Sequence, residues 1–293
     1  MKNPVVSIVC ITYNHEPYLR QTLEGFLLQK TAFPVEIILA EDCSTDGTRA
    51  ICEEYATKYS DKIHYIWSES NVGAIANEIR ASKAARGKYV AFCEGDDYWT
   101  DPLKLQKQVD FMDAHPEYSV TFHRCKHMDI GTGQWKDDSC GALFTNGEDG
   151  IDIDIPMFFS NWYTQPLTMV YRTDCLDLDK MINYKHYRDM HQIYHLLKEG
   201  KGYLFAFLGG VRILHAGGQA SQRSSQKACD DSLAIAQELY DANHDTYTAN
   251  YYAEVLQWAI YKASQYGYNK WDLSMRLFSI NHDFCIWLKN ILR

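Results

Sequence analysis

A nearly unbroken apolar run, Val5 to Ile11, opens the chain and leads into a helix pattern over about Glu16 to Gln29, with Leu19, Leu23, Phe26 and Leu27 on one side. A strand that is apolar at successive positions is buried on both faces, and only a sheet covered by helices offers such a place. The alternation then repeats. Val35 to Ala40 reads as a second strand, after which Ser44, Thr45 and Asp46 supply capping oxygens for a helix carrying Ile51 and Tyr55. Ile63 to Trp67 is a third strand, about Ala74 to Ala85 a helix, and Tyr89 to Cys93 a fourth strand. Asp101-Pro102 reads as N-cap and first residue of a helix buried along Leu105, Val109 and Met112, and Tyr118 to His127 is another strand. Strands separated by helices predict an α/β fold with a largely parallel sheet flanked on both faces.

The middle of the chain is less regular. Residues 129–161 are rich in Asp, Gly and Asn and read as a loop-rich insert. Leu167 to Tyr171 reads as a strand, Asp189 to Glu199 as a helix striped by Ile193, Leu196 and Leu197, and Tyr203 to Leu208 and Val211 to Leu214 as two short strands around Gly209-Gly210. No clear strand follows Gln222. Tyr247, Tyr251, Val255 and Ala259 recur every fourth residue, as on one helical face, and a last helical pattern runs from Asn269 to about Lys289. The expected division is a catalytic domain at 1–222, with a nucleotide-binding half to about 128 and an acceptor-side half over 129–222, and a helical appendage at 223–293. The aromatic face of that appendage is expected to pack on the catalytic part or on a second subunit, which admits a homodimer; contact with a membrane surface is the lesser alternative.

Composition narrows the partners. The 293 residues carry a formal charge of −9 and no Lys/Arg cluster, so no nucleic-acid partner is expected, and a bound diphosphate would need a cation to offset repulsion. None of the nine cysteines forms a C-x-x-C pair, and Cys10 and Cys93 lie inside strand patterns; they read as reduced, in a cytoplasmic protein. No apolar run approaches the roughly 20 residues of a membrane span, although peripheral association at the inner face of a membrane stays open.

Ligands of open parallel sheets sit beyond the C-terminal ends of the strands. The residues there are Thr12-Tyr13-Asn14, Glu41-Asp42, Asn71-Val72-Gly73 and Glu94-Gly95-Asp96-Asp97. Any one group serves equally well as a turn or cap; all of them at one edge are harder to ascribe to turns. Asp96 and Asp97 are hard oxygen ligands suited to Mg²⁺ or Mn²⁺, and such an ion can bridge a diphosphate and stabilise it as a leaving group. Asp42 can accept from a base imide, Tyr13 can stack on the base, and Gly73 lets backbone approach a ligand. Neither G-x-G-x-x-G nor G-x-x-x-x-G-K-[ST] is present, which disfavours dinucleotide and P-loop chemistry. Trp99, Trp162 and Gln165 can each line an acceptor platform or simply pack.

The stretches VSIVCITYNHEPYLRQTLEGFLLQK, VEIILAEDCSTDGT, NVGAIANEIRASKAARGKYVAFCEGDDYW and YRDMHQIYHLLKEG, taken together and in this order, resemble the family 2 glycosyltransferases, inverting enzymes with the GT-A fold. The resemblance implies transfer of a sugar from a nucleotide-diphospho-sugar donor to a saccharide or lipid-linked saccharide acceptor in cell-surface polysaccharide assembly such as capsule or lipopolysaccharide; Asp42 and Tyr13 themselves suit an imide-bearing base, uracil best, thymine nearly as well, with guanine also open. It places Asp42 and Tyr13 against the nucleoside, Asp97 as direct metal ligand with Asp96 near the ribose or metal, Asp189 as general base, and His215 near the diphosphate or metal. Two departures stand out. Glu41-Asp42 replaces a pair of aspartates, and Arg188-Asp189 replaces Glu-Asp, so that Arg188 either contacts substrate or holds the loop. A metal-dependent nucleotidyltransferase and a carbohydrate-binding protein without activity are the rival readings.

Overall fold

The computed structural model describes residues 3–160, 164–218 and 224–281. It divides into two compact units, residues 1–183 with 189–215, and residues 184–188 with 216–293.

The first unit opens with β1 (Val6–Thr12), α1 (Leu19–Leu27), β2 (Val35–Glu41), α2 (Thr48–Lys58), β3 (Ile63–Trp67), α3 (Ala74–Ala84) and β4 (Tyr89–Phe92). Every residue of β1 is buried, because β2 and β4 pair with it in parallel on either side and helices cover the faces. β3 adds to β2 in parallel. On α1, Leu19, Leu23 and Phe26 are buried; each such side chain stabilises the fold by about 1.5–3 kcal/mol relative to exposure.

The second half of this unit holds β5 (Tyr98–Trp99), α4 (Lys104–Ala114), β6 (Tyr118–Asp129), β7 (Gln134–Asp137), β8 (Gly150–Ile153), α5 (Ile155–Ser160), β9 (Val170–Arg172), α6 (Leu178–Met181), α7 (Asp189–Glu199) and β10 (Lys201–Leu214). The sheet order is β3-β2-β1-β4-β9-β6-β10-β5, with β7 on β6 and β8 on β10. β9 runs antiparallel to both β4 and β6, β6 and β10 are parallel, and β5 is antiparallel to β10. The mostly parallel α/β sheet expected from the sequence is present, with antiparallel members in its second half.

Several local expectations need correction. The two short strands around Gly209-Gly210 are one strand, β10, whose register on β6 shifts between Phe205 and Leu208 and again before Gly210. Irregular pairing of this kind lets one strand absorb extra residues. Residues 166–168 form a 3-10 turn ahead of β9 instead of extending it. The insert expected to be mostly loop carries β7, β8 and α5. The helix expected at Asp101-Pro102 starts at Lys104; Asp101 Oδ1 accepts the Leu103 N–H at 2.9 Å, closing a turn before the helix.

Trp99 fills the space between α1 and the sheet. It is 3% exposed, its ring lies 4.7 Å from that of Phe26, and its Nε1 donates to the Leu167 carbonyl at 2.8 Å. A Cβ on Gly25 would stand 2.9 Å from the Trp99 carbonyl oxygen, so glycine permits this approach. Of the two roles open to Trp99, packing is the one its position allows.

Lys104 is buried at the start of α4 with its Nζ 4.0 Å from the Trp99 ring centre and no hydrogen-bond partner among the described residues. Burial pulls its amine down from 10.5 to about 7, against weaker upward pulls from Cys93 and Asp101. The penalty on the charged form is on the order of 5 kcal/mol at most, of which the ring contact returns about 1–2 kcal/mol. Because the folded pKa is depressed, the unfolded chain binds more protons between about 7 and 10.5, and stability rises with pH across that window. Lys104→Met should therefore raise the thermal midpoint at pH 6 by several degrees, with the gain shrinking at pH 9. Unchanged or lower midpoints at both pH values would refute this.

The second unit consists of α8 (Ser225–Asn243), α9 (Thr246–Tyr266) and α10 (Lys270–Asn281). Ser224 and Asp245 cap the first two helices through the N–H groups of Lys227 and Thr248, and Gly267 ends α9 at φ 74°. Tyr251, Tyr252, Leu256, Ala259, Ile260 and Ala263 of α9 are buried, whereas Tyr247, placed by its spacing on the same face, is exposed. The segment 184–188 joins this unit because Glu238 accepts the N–H groups of Lys185 and His186 at 2.6 and 2.9 Å. α10 is described as far as Asn281, and the rest of the pattern expected to reach Lys289 lies outside the described residues. Among the described residues no helix is long and apolar enough to cross a membrane.

Candidate active site

The first unit brings the strand ends together at one edge of the sheet. The loop after β1 is tied to the loop after β2: the Asn14 N–H donates to Ser44 Oγ at 3.0 Å, and Asn14 Oδ1 accepts the Thr45 N–H at 2.8 Å. Asn14 adopts φ 55°, a left-handed conformation that asparagine tolerates better than most residues. Asp42 is buried, and its two carboxylate oxygens accept the N–H groups of Val72 and Gly73 at 2.8 and 2.9 Å. Asn71 Nδ2 donates to the Asp42 carbonyl at 3.1 Å. Asp42, Asn71 and Gly73 thus form one connected corner. Gly73 is required there by φ 87°, since nothing lies within 4 Å of where its Cβ would be. Tyr13 remains 41% exposed beside buried Thr12.

Glu41 accounts for the departure from an aspartate pair. It is fully buried, with Oε1 accepting the Ser44 N–H and Oε2 accepting from Arg49 Nε at 2.8 Å. The longer side chain braces the loop below Asp42.

The loop after β4 carries the acidic cluster. Gly95 lies directly on the end of β1: its N–H donates to the Ile11 carbonyl at 2.9 Å, and a Cβ there would come within 2.6 Å of Thr12 Oγ1 and 2.9 Å of His15 Nδ1. Thr22 Oγ1 reaches the carbonyls of Gly95 and Asp97 at 3.0 and 2.7 Å. Asp97 is 4% exposed, and its Oδ1 accepts the Ile213 N–H of β10 at 2.8 Å. Asp96 Oδ2 pairs with His215 Nε2 at 3.0 Å and lies 3.7 Å from His15 Nε2. Asp96 Oδ1 is buried and has no hydrogen-bond partner among the described residues. The ligand atoms of Glu94, Asp96 and Asp97 lie within 4.8 Å of one another, and so do those of His15, Asp96 and His215.

The electrostatics are those of a site short of positive charge. Burial, then the charges of Asp96, Asp97 and Asp189, pushes the Glu94 carboxyl well above the usual range, with Arg212 opposing. Burial and the Asp96 charge do the same to Asp97, against the Ile213 N–H and Arg212. Burial also acts to raise Asp96, but the His215 hydrogen bond and the charges of His15 and His215 outweigh it and hold that carboxyl below its ordinary value. His15 is itself lowered, chiefly by burial, with Asp96 opposing. Three crowded carboxyls, an orphaned carboxylate oxygen and two imidazoles fit a divalent cation: Asp96 and His215 would hold it, with Glu94, Asp97 and His15 around them.

Asp189 opens α7, and its Oδ1 accepts the Met190 N–H at 3.1 Å. Ile193, Leu196 and Leu197 are buried and fix the helix. Its contribution to the rise of Glu94 puts the start of α7 within electrostatic reach of the acidic cluster. Arg188, whose Nη1 donates to the Tyr187 carbonyl at 3.2 Å, falls in the segment grouped with the helical unit. Gln165 is buried ahead of the 3-10 turn before β9. Trp162 lies outside the described residues.

Three neighbours of the cluster had no role assigned from the sequence. Glu94 stood in the quoted motif but was not read as a ligand. His15 lies just past the end of β1 and Arg212 is near the end of β10; the strand-end rule that located the other groups covers both.

The α/β sheet, with its acidic loop at the carboxyl edge of β4, has a GT-A-like fold. The chain resembles the solved structure of Staphylococcus aureus TarS 1-349 in complex with UDP-GlcNAc, with a TM-score of 0.67 at 20% identity over 94% of this chain and 83% of that one. It also resembles the mannosyltransferase PcManGT from Pyrobaculum calidifontis in complex with GDP-Man and Mn²⁺, with a TM-score of 0.56 at 15% identity over 95% and 80%. Residues 7–175 match the family described as glycosyl transferase family 2, and the chain belongs to that family. Rv1520 of Mycobacterium tuberculosis is 54% identical over 118 residues, 40% of this chain and 34% of that protein. TuaG of Bacillus subtilis, named provisionally as a teichuronic acid biosynthesis glycosyltransferase, is 40% identical over 109 residues, 37% of this chain and 42% of that protein. These matches span less than half the length of either relative.

Proposed function

We propose that the protein transfers a sugar, with inversion, from a nucleotide-diphospho-sugar to an acceptor hydroxyl. The observation that carries this reading is the convergence of Glu94, Asp96, Asp97, His15 and His215 at the carboxyl edge of the sheet, with Asp189 within electrostatic reach. A divalent cation bound there would neutralise charge on the diphosphate leaving group.

The chain's own residues supply the rest. Asp96 is the preferred ligand, since its Oδ1 lacks a partner among the described residues while Asp97 Oδ1 is engaged by the Ile213 N–H. The Asp42 corner and the exposed Tyr13 ring receive the nucleoside. Arg212 adds positive charge beside Glu94 and Asp97. Asp189 takes the proton from the acceptor hydroxyl as that oxygen attacks the anomeric carbon opposite the leaving group. One carboxylate suffices, because a diphosphate leaves without a protein acid; a glycoside hydrolase would need a second.

Uracil is the favoured base, and the UDP-GlcNAc complex of TarS supports trying that donor first. The GDP-Man complex of PcManGT keeps guanine as an alternative. The relation to TuaG supports a saccharide acceptor in cell-surface polysaccharide assembly. A lipid-linked acceptor would bring the protein to the cytoplasmic face of the membrane, and a homodimer would cover exposed aromatic residues of α9 and α10. The test is the initial transfer rate and the anomeric configuration of the product, measured with and without Mn²⁺.

A further inference from the structure

We propose that His15 is a direct ligand of the cation, so that two imidazoles flank Asp96 and the centre favours a first-row transition ion such as Mn²⁺ over Mg²⁺. This rests on the reading above that the site holds a divalent cation.

The two rings approach one oxygen from different directions. His215 Nε2 lies 3.0 Å and His15 Nε2 3.7 Å from Asp96 Oδ2, with ring centres 6.3 Å apart and planes at 88°. The three ligand atoms fall within 4.8 Å of one another. Ligands on opposite sides of a small divalent ion stand roughly 4 Å apart, so little movement would close the set on an ion. Both rings are held from behind. The His15 backbone N–H donates to Thr48 Oγ1 at 2.8 Å, and its ring lies against Gly95; His215 packs on Tyr18 with ring centres 4.7 Å apart. The remaining oxygen of Asp96 has no partner among the described residues.

The same aspartate also belongs to an all-oxygen set, Glu94, Asp96 and Asp97. That set would suit Mg²⁺, whereas imidazole nitrogen favours transition ions. In the oxygen set Asp97 already accepts a backbone N–H and is nearly sealed from solvent. In the nitrogen-containing set, His15 Nδ1 has no hydrogen-bond partner among the described residues, and the Nε2 atoms of both rings lie beside Asp96 Oδ2. The geometry therefore favours the two-imidazole set.

Paramagnetic resonance of Mn²⁺ on the full chain separates the two, with Mn²⁺ alone and with Mn²⁺ plus UDP. Electron spin-echo modulation should report directly bound imidazole nitrogen from two ligands in the wild type, from one in His15→Ala or His215→Ala, and from none in the double variant. His15→Ala should weaken Mn²⁺ binding at least tenfold while changing Mg²⁺ affinity, read by displacement of Mn²⁺, by less than threefold. His15→Gln, with an unchanged thermal midpoint in the metal-free protein, should lose the same nitrogen and guards against a folding defect. Bound Mn²⁺ whose nitrogen modulation is untouched by His15→Ala and His15→Gln would overturn the ligand assignment alone. Equal loss of Mn²⁺ and Mg²⁺ in His15→Ala would overturn the preference. A wild type that binds no Mn²⁺, with or without UDP, would sink the cation reading itself.

Discussion

Asp189→Asn should slow glycosyl transfer by about 10²–10⁴-fold, the usual worth of general-base assistance, while leaving nucleotide affinity nearly intact. The asparagine amide oxygen can still accept the Met190 N–H, and buried Ile193, Leu196 and Leu197 keep α7 in place. The change removes the proposed base and keeps the hydrogen bond to Met190. An ordinary aspartate near pKa ~3.9 is a weak base, but it needs to act only as the C–O bond forms. Initial rates paired with UDP titrations check the split. Near-normal transfer would rule out the base assignment, and loss of UDP binding would make Asp189 a structural residue. Arg188→Ala with activity retained would show that the effect does not come through the neighbouring guanidinium.

Asp96→Asn should abolish detectable transfer and cut UDP affinity in the presence of Mn²⁺ by about 10²-fold or more, because the proposed cation, which would offset the diphosphate charge, would lose its central ligand. Asp97→Asn should be milder. Its amide oxygen can keep the Ile213 N–H that Asp97 Oδ1 now accepts, whereas Asp96 offers both its oxygens to the cluster. Calorimetric titration of each variant reads this order. An Asp97 variant that loses UDP more completely than the Asp96 variant would reverse the assignment of the two aspartates.

Much of the first unit was legible because continuous apolar strands leave few alternatives. Val6–Thr12 and Val35–Glu41 could lie only inside a covered sheet, and the polar residues after them then had to share one edge. Periodicity failed where the strand was irregular: β10 carries Gly209-Gly210 and register shifts, and read as two strands. It failed at Asp101-Pro102, where the cap closes a turn ahead of the helix. Side-chain roles were less legible than positions. Glu41 and Asp42 look alike in sequence, yet one braces its own loop while the other receives the N–H groups of a distant one. His15 was hidden because a single histidine in a loop carries no signal until His215, 200 residues on, is seen to face the same aspartate.

The most direct test of cation-dependent inverting transfer is proton NMR of the reaction with UDP-GlcNAc and a saccharide acceptor, followed with Mn²⁺ and with excess EDTA. The α-configured donor should give a β-linked product in Mn²⁺ and none in EDTA, with return of activity when Mn²⁺ is restored. An α-linked product, or transfer at the same rate in EDTA, would contradict the account.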